Sequence, residues 1–407
     1  MTEQSQLSLD VDLSERKPAP KTGRRSFKVA GLFAGIGGLE LGLSSAGHET
    51  VLLCENDPSA NLVLADRFPD VRRTGDVCEL KSLPRGTDLL VGGFPCQDLS
   101  QAGKTVGIAG SRSGLVGEVF RLLRTKRVPW LVLENVPFML QLARGAALDV
   151  IIDALEDLGY QWAYRVIDSR AFGVPQRRRR VFLVASLDED PRHVLFSDEA
   201  EQADGPDSLD GVACGFYWTE GVRGLGWAVD AVPTLKGGST VGIPSPPAIW
   251  LPSGEIVKPN IRDAERMQGF RPGWTEAATV AGRKSFRWKL VGNAVSVPVA
   301  RWLGERLARP KGFALSEVQP LLRPGRSWPS VAWNVGAGRM TTELSSWPVR
   351  RKQPPLIDFL RYPTEPLSEK ATAGFLNRTA KGTLRFPDGF LNAVENHLEN
   401  VRARATA

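Results

Sequence analysis

The stretch that most constrains this 407-residue chain is Phe27-Lys28-Val29-Ala30-Gly31-Leu32-Phe33, with Ala34-Gly35-Ile36-Gly37-Gly38 directly after it. The apolar run predicts a buried strand, the glycines a tight turn, and residues 39–46 a helix. Strand, glycine turn and helix in that order form a nucleotide cradle, because backbone N–H groups and a helix N-terminus face the ligand. The fold class that follows is α/β. The dinucleotide fingerprint G-x-G-x-x-G fails here, since Glu40 holds the third glycine's place. That departure disfavours NAD or FAD, whose pyrophosphate needs the close approach, and suits a nucleoside ligand without phosphates.

The next segments extend the same sheet. Residues 49–54 predict a second strand, closed by Glu55-Asn56-Asp57. An acid about 20 residues beyond the glycines is where a ribose hydroxyl pair is held, and Glu55 fits better than Asp57. Asp57 also suits the N-cap of a helix over 58–68. Asp76 ends a third short segment, as an adenine-amino acceptor or as a plain turn acid. Thr87-Asp88-Leu89-Leu90 then predicts a strand running into Val91-Gly92-Gly93-Phe94-Pro95-Cys96-Gln97. A cysteine just past a strand's carboxyl end stands where open α/β sheets bind ligands. Pro95 restricts Phe94 to an extended conformation and aims the thiol. Cys96 is read as a nucleophile, against the alternative of a buried, inert cysteine.

Residues 98–115 carry Gly103, Gly107, Gly110 and Gly114, a loop suited to close over a substrate. Trp130-Leu131-Val132-Leu133 predicts a further buried strand, ended by Glu134-Asn135-Val136-Pro137. A carboxyl there points into the same crevice as Cys96, and an apolar site raises its pKa so that it holds or shares a proton. A helix-capping acid is the alternative. After a helix over 148–158 and a strand over 162–167 come Gln176-Arg177-Arg178-Arg179-Arg180 and a strand over 181–186. Alternation puts Arg178 and Arg180 on one side. One pair enters the crevice and the other meets solvent or phosphate, unless all four form a solvated basic patch.

Composition narrows the partners. The length suffices for two or three domains, and no apolar run approaches a membrane span. The polar N-terminus lacks a signal-peptide core, so a cytoplasmic protein is expected. Four cysteines and three histidines show no metal-ligand spacing, and neither a metal site nor a disulfide framework is expected. The net charge is +7, yet residues 187–210 hold nine acids against Arg192 alone. A basic body with one acidic segment suits a polyanion met on one side.

In this order, the glycine turn, Pro95-Cys96-Gln97, Glu134-Asn135-Val136 and Gln176-x-Arg178-x-Arg180 resemble the DNA cytosine-5 methyltransferases. Arg262-Asp263-Ala264-Glu265-Arg266-Met267-Gln268-Gly269-Phe270 looks like that family's ninth motif, and Gly292-Asn293-Ala294-Val295-Ser296-Val297-Pro298 like its tenth. The resemblance covers roughly residues 27–308. It implies a Rossmann-like methyltransferase sheet with a small β-rich target-recognition domain, and S-adenosylmethionine as methyl donor. The donor pocket would draw on Phe33, Ala34, Gly35, Gly37, Gly38, Glu55, Asn56, Asp76, Pro95, Asn293 and Val295. Asn56 stands where many members carry an aromatic residue that stacks on adenine. The resemblance makes Cys96, Glu134, Arg178 and Arg180 the catalytic set, acting on a flipped-out cytosine in double-stranded DNA.

The expected organisation is a disordered arm over 1–26, a catalytic and cofactor domain over 27–186, and a target-recognition region over 187–260. The chain then returns to the catalytic domain over 261–309. Residues 310–407 form a C-terminal extension, either a DNA-contacting or partner-docking module or a packing lobe. Within the target region, Arg223, Lys236, Ser239 and Thr240 are candidate readers of bases or phosphates, and the acidic stretch is expected to face away from DNA. The enzyme is expected to work as a monomer in a bacterial cytoplasm, with a restriction or defence nuclease as a candidate partner. The alternatives are the same chemistry on tRNA, or a catalytically silent DNA-binding regulator.

Overall fold

The computed structural model describes residues 17–20, 23–94, 114–238, 246–281, 285–321 and 327–406. Cys96, Pro95, Ser239, Thr240 and nearly all of the glycine-rich loop lie outside them.

The first half of the chain follows its apolar runs. Strand β1 (Lys28–Leu32) leads through the glycine turn to α1 (Gly38–Ser45), then β2 (Glu49–Cys54), α2 (Pro58–Arg67) and β3 (Arg73–Thr74). Strand β4 (Leu89–Gly93), α3 (Leu115–Thr125), β5 (Trp130–Asn135), α4 (Ala146–Asp157), β6 (Gln161–Asp168), β7 (Gln176–Arg177) and β8 (Arg179–Ser186) follow. Strands β1 to β5 pair in parallel, whereas β8 runs antiparallel to both β5 and β6. The strand order β6-β8-β5-β4-β1-β2-β3 reverses direction between β1 and β4, and there the ends of adjacent connections part and open a crevice. Both faces are covered. Leu32, Leu90 and Leu133 pack under α3 and α4, and Val29, Val91 and Val132 pack under α1 and α7 (Val297–Ala308). Continuous burial on both sides is why these strands read as unbroken apolar runs.

A second, smaller sheet has the order β10-β9-β12-β13-β17, formed by β9 (Cys214–Phe216), β10 (Ala228–Val229), β12 (Ala248–Trp250), β13 (Ile256–Lys258) and β17 (Glu365–Pro366). Strand β11 (Val232–Pro233) pairs with β7 and ties this lobe to the large one. Helices α5 (Ile261–Met267) and α6 (Ser285–Asn293) carry the chain back toward the crevice.

Three expectations about boundaries change. Residues 310–407 are woven into both lobes. Strands β14 (Gln319–Pro320), β15 (Val331–Asn334) and β16 (Met340–Thr341) extend the large sheet beyond β6. Strand β17, α8 (Glu369–Thr379) and α9 (Phe390–Thr406) complete the small lobe, where Phe375 and Phe390 pack on Phe216. The acidic stretch belongs to the large lobe, because the fully buried Arg165 of β6 draws it in. That guanidinium donates to the carbonyls of Leu195, Asp198 and Ser345 and pairs with Glu199. Part of the expected arm is also packed. The Lys17 and Phe313 backbones pair, and Arg25 donates to Glu189 at 2.5 Å while stacking on Phe27 and Trp130.

Helices α1 and α7 touch through glycine. A Cβ on Gly42 would lie 2.4 Å from the Ala300 Cβ and 2.6 Å from the Arg301 nitrogen. Gly42→Ala is therefore expected to cost about 1–3 kcal/mol in urea unfolding. Gly117→Ala, in α3 with nothing within 4 Å of the added methyl, should be neutral or stabilising by up to about 1 kcal/mol.

Candidate active site

The crevice between β1 and β4 begins with a backbone that side chains rarely adopt. Phe33, directly after β1, has φ 54°, and Gly35 and Gly37 follow at 56° and 81°. A non-glycine residue held there costs roughly 1–3 kcal/mol and signals a shape the surroundings impose. The Glu55 carboxylate supplies part of that constraint. Its Oε2 accepts from the Gly35 N–H at 2.7 Å and its Oε1 from the Asp57 N–H at 2.8 Å.

A cavity of about 280 Å³ opens beside this turn. Of the residues expected there, Phe33, Gly35, Glu55, Asn56, Asp76 and Asn293 line it. Asn56 is exposed at its edge. The expected Ala34, Gly37, Gly38 and Val295 do not line the cavity. The reason is close packing: a Cβ on Gly37 would strike the Phe68 ring at 2.4 Å, and one on Gly38 the Val295 carbonyl at 2.5 Å. These glycines let the turn seat against its neighbours. Sequence reasoning missed Gly75, Val77, Leu115, Lys289 and Leu290, which also line the cavity. Their distance along the chain from the glycine turn left no local signal.

The cavity is acidic. Glu55, Asp57 and Asp76 face it with Lys289 as the basic residue, and Lys289 is bound to Asp57 at 2.8 Å. Asp57 also caps α2 by accepting from the Ser59 and Ala60 N–H groups, and Asp76 accepts from the Cys78 N–H at 2.8 Å. Such a lining repels a pyrophosphate and favours a cationic or neutral nucleoside. A Cβ on Gly35 or Gly75 would meet nothing within 4 Å, so both glycines border open space.

Next along the sheet, Gly93 of β4 is paired in register with Glu134 of β5. A Cβ on Gly93 would lie 3.1 Å from Glu134 Oε2. Glu134 is buried, and its Oε1 stands 3.0 Å from Nε of Arg180 at the start of β8. That oxygen takes no well-aligned hydrogen bond from a described residue. Burial raises the Glu134 pKa, and the charges of Arg180 and Arg178 oppose that rise. A carboxyl so placed can present a proton or a hydrogen bond to a partner entering the crevice.

Arg178 reaches the site differently. It is 1% exposed, and it donates to the carbonyls of Leu235 at 3.2 Å, Gly292 at 3.1 Å and Ala294 at 2.6 Å. Gln176 joins it, donating to Met267 O and accepting from the Leu235 N–H. Together they fasten the turn at Thr234 and Leu235 to the loop carrying Asn293. Asn135, whose side chain had no assigned part, donates to Phe94 O at 3.0 Å and so anchors the chain that leads to Cys96. Among the other cysteines, burial pushes Cys54 up to about 12 and Cys214 up to about 11, and Cys78 is also raised. None of the three supplies a thiolate at neutral pH.

Residues 27–209 match the profile of the C-5 cytosine-specific DNA methylases. The chain is 49% identical over 385 residues to the Type II methyltransferase M2.BsuMI of Bacillus subtilis, covering 90% of this chain and 97% of that one. It is 37% identical over 187 residues to the Type II methyltransferase M.MspI of Moraxella sp., covering 45% and 44% of the two chains. Among solved structures, the Entamoeba histolytica methyltransferase EhMeth superposes with a TM-score of 0.50 at 14% identity, over 70% of this chain and 98% of that one. The S. pombe Dnmt2 methyltransferase gives 0.50 at 16% identity, over 69% and 98%. These two likenesses concern the fold.

Replacing Arg178 by leucine would strand three buried carbonyls. Arg178→Leu is expected to cost about 3 kcal/mol or more in denaturant unfolding, with Arg178→Lys recovering part of the loss.

Proposed function

Because the chain belongs to the C-5 cytosine-specific DNA methylases, we propose that it methylates carbon 5 of a cytosine at a defined sequence in duplex DNA through a transient bond between Cys96 and carbon 6. It is a DNA cytosine-5-methyltransferase of the Type II kind; the residue roles that follow are the reading we favour. The observation that carries it is the Glu134–Arg180 pair beside the end of β4, one strand away from an acid-lined nucleoside cavity.

The family implies S-adenosylmethionine, and the cavity fits it. Glu55 has lone pairs to spare for a ribose hydroxyl pair, Asp76 can accept from an adenine amino group, and the carboxylates suit a positively charged ligand. When bound, this donor supplies an electrophilic methyl group. Phe33, Gly35, Asn56 and Asn293 shape the remaining wall, and Pro95, assigned to the same pocket by the family resemblance, lies outside the described residues.

Cytosine carbon 5 is a poor nucleophile. Cys96, as a thiolate, gives its electron pair to carbon 6, and ring electrons move toward carbon 5 and nitrogen 3. Glu134 donates or shares a proton at nitrogen 3 as charge gathers there. Arg180 holds the exocyclic oxygen and keeps Glu134 in place, and Arg178 acts as a positioning residue behind both. Carbon 5 then carries both the new methyl group and its original proton. Water takes that proton, and the electron pair left on carbon 5 restores the double bond and expels the Cys96 thiolate. The base must leave the duplex to be reached, at a cost of a few kcal/mol of unstacking. The loop over 98–115 closes behind it.

The lobe of β9 to β13 and β17 reads the DNA, with Arg223, Lys236, Ser239 and Thr240 as contacts. The enzyme acts as a monomer and guards host sites against a cognate nuclease. No helix among the described residues is long and apolar enough to cross a membrane.

Cys96→Ser is expected to bind cognate DNA and transfer no label from tritiated donor; labelled product from this variant would remove Cys96 from the mechanism. A cognate duplex carrying 5-fluorocytosine should trap the wild-type chain as a denaturation-resistant adduct. Glu134→Gln should slow single-turnover methylation by about 10²-fold or more, and an unchanged rate across pH would exclude the proton role.

A further inference from the structure

A second cleft, of about 690 Å³, lies at the same end of the large sheet and has no part in the chemistry above. Its basic wall comes from two distant pieces of chain. Arg177 stands on β7, three residues before Arg180. Arg350, Arg351 and Lys352 come from the C-terminal extension and are all exposed. More than half of the arginines among the described residues donate to carboxylates or carbonyls. None of these four cations makes an ion pair with a described carboxylate, and Arg351 only stacks over Phe172 at 5.6 Å. Arg170 also lines the cleft, but it is bound to Asp168 at 2.9 Å.

The segment holding these cations is fixed at both ends. Arg351 N–H donates to Ala171 O at 2.9 Å on the large lobe. Gln353 Nε2 donates to Asp230 O, and Leu356 N–H to Asp230 Oδ1, each at 2.7 Å, on the small lobe. The backbone that carries these charges is therefore fixed across the junction of the two lobes, and the ordering cost on binding falls on the side chains alone. Two carboxylates border them. Asp230 is occupied by Leu356, whereas Asp204 is exposed at the tip of the acidic stretch on the opposite rim. One residue of the acidic stretch, Asp204, thus reaches the edge of this cationic cleft.

We propose that this cleft holds the phosphate backbone of the substrate duplex beside the target cytosine, with the C-terminal segment Arg350-Arg351-Lys352 supplying the contacts and Asp204 limiting their strength. The proposal rests on the reading of duplex DNA as substrate. Cations without a described carboxylate partner, gathered on a fixed backbone at the same end of the large sheet as the Glu134–Arg180 pair, are what a polyanion requires. Contacts of this kind fix register and add affinity without reading sequence.

The test is the salt dependence of binding to a cognate and a non-cognate duplex, measured on the full chain by fluorescence anisotropy. Each lost phosphate contact flattens log K against log[salt] by about 0.9. The triple variant Arg350→Gln, Arg351→Gln, Lys352→Gln should flatten the slope by about 2 to 3. It should weaken cognate and non-cognate binding in equal proportion and raise KM for DNA. Asp204→Asn should shift affinity the opposite way. If the triple variant loses its cooperative melt, Arg350→Gln and Lys352→Gln singly carry the same test, each with a change of about 0.9. Wild-type slope in these variants overturns the proposal and leaves the methyltransferase reading intact. A wild-type chain that binds and methylates no duplex overturns both.

Discussion

A positive charge shut away from water must be surrounded by oxygen, and Arg178 meets that requirement with carbonyls drawn from two distant parts of the chain. Leu235 belongs to the turn below the small lobe, and Gly292 and Ala294 to the loop behind the cavity. Neither turn lies next to the other by its own preference. The buried guanidinium holds them together because parting them would leave both the charge and the carbonyls without partners. Strand β8 starts from this anchor, and Arg180 is thereby delivered to Glu134. The position of the Glu134–Arg180 pair thus depends on a residue whose own hydrogen bonds go elsewhere.

The end of the sheet has two electrostatic characters side by side. The β1–β2 side is acidic, with Glu55, Asp57 and Asp76 around the cavity. The β5–β8 side is basic, with Arg178 and Arg180 flanking one buried carboxyl. The proposed reaction, between a cationic donor and a base that gathers negative charge, calls for such a division. The strand between the two zones ends in glycines, so no side chain separates them.

Much of this was legible in the sequence, and the limits have physical causes. Strands β2, β5 and β8 stand where the apolar runs put them, since strands buried on both faces leave unbroken runs. Asp57 caps α2, as its place before Pro58 suggests. The reading of Glu55 and Asp76 as cavity residues rested on strand ends, which any α/β sheet brings together, and that of Phe33 on the family resemblance. Gly37 and Gly38 stand outside the cavity lining, and a glycine needed for tight packing and one needed for a ligand look alike in sequence; the Phe68 ring and the Val295 carbonyl reveal the packing. The fate of residues 310–407 was equally hidden. Short strands such as β14, β16 and β17 have no periodicity of their own, and their pairing with distant segments is a tertiary fact.

The late strands and helices have a consequence for how the protein comes into being. Strand β15 lies against β6, and the small lobe closes only around β17, Phe375 and Phe390. During synthesis from the N-terminus, β9, β12 and β13 leave the ribosome with one side of their core uncovered, and they wait for β17, α8 and α9, which begin more than 100 residues beyond β13. An unfinished polypeptide therefore holds the cavity and the arginine-flanked carboxyl beside an incomplete small lobe. Competence arrives late and all at once, with the last helices.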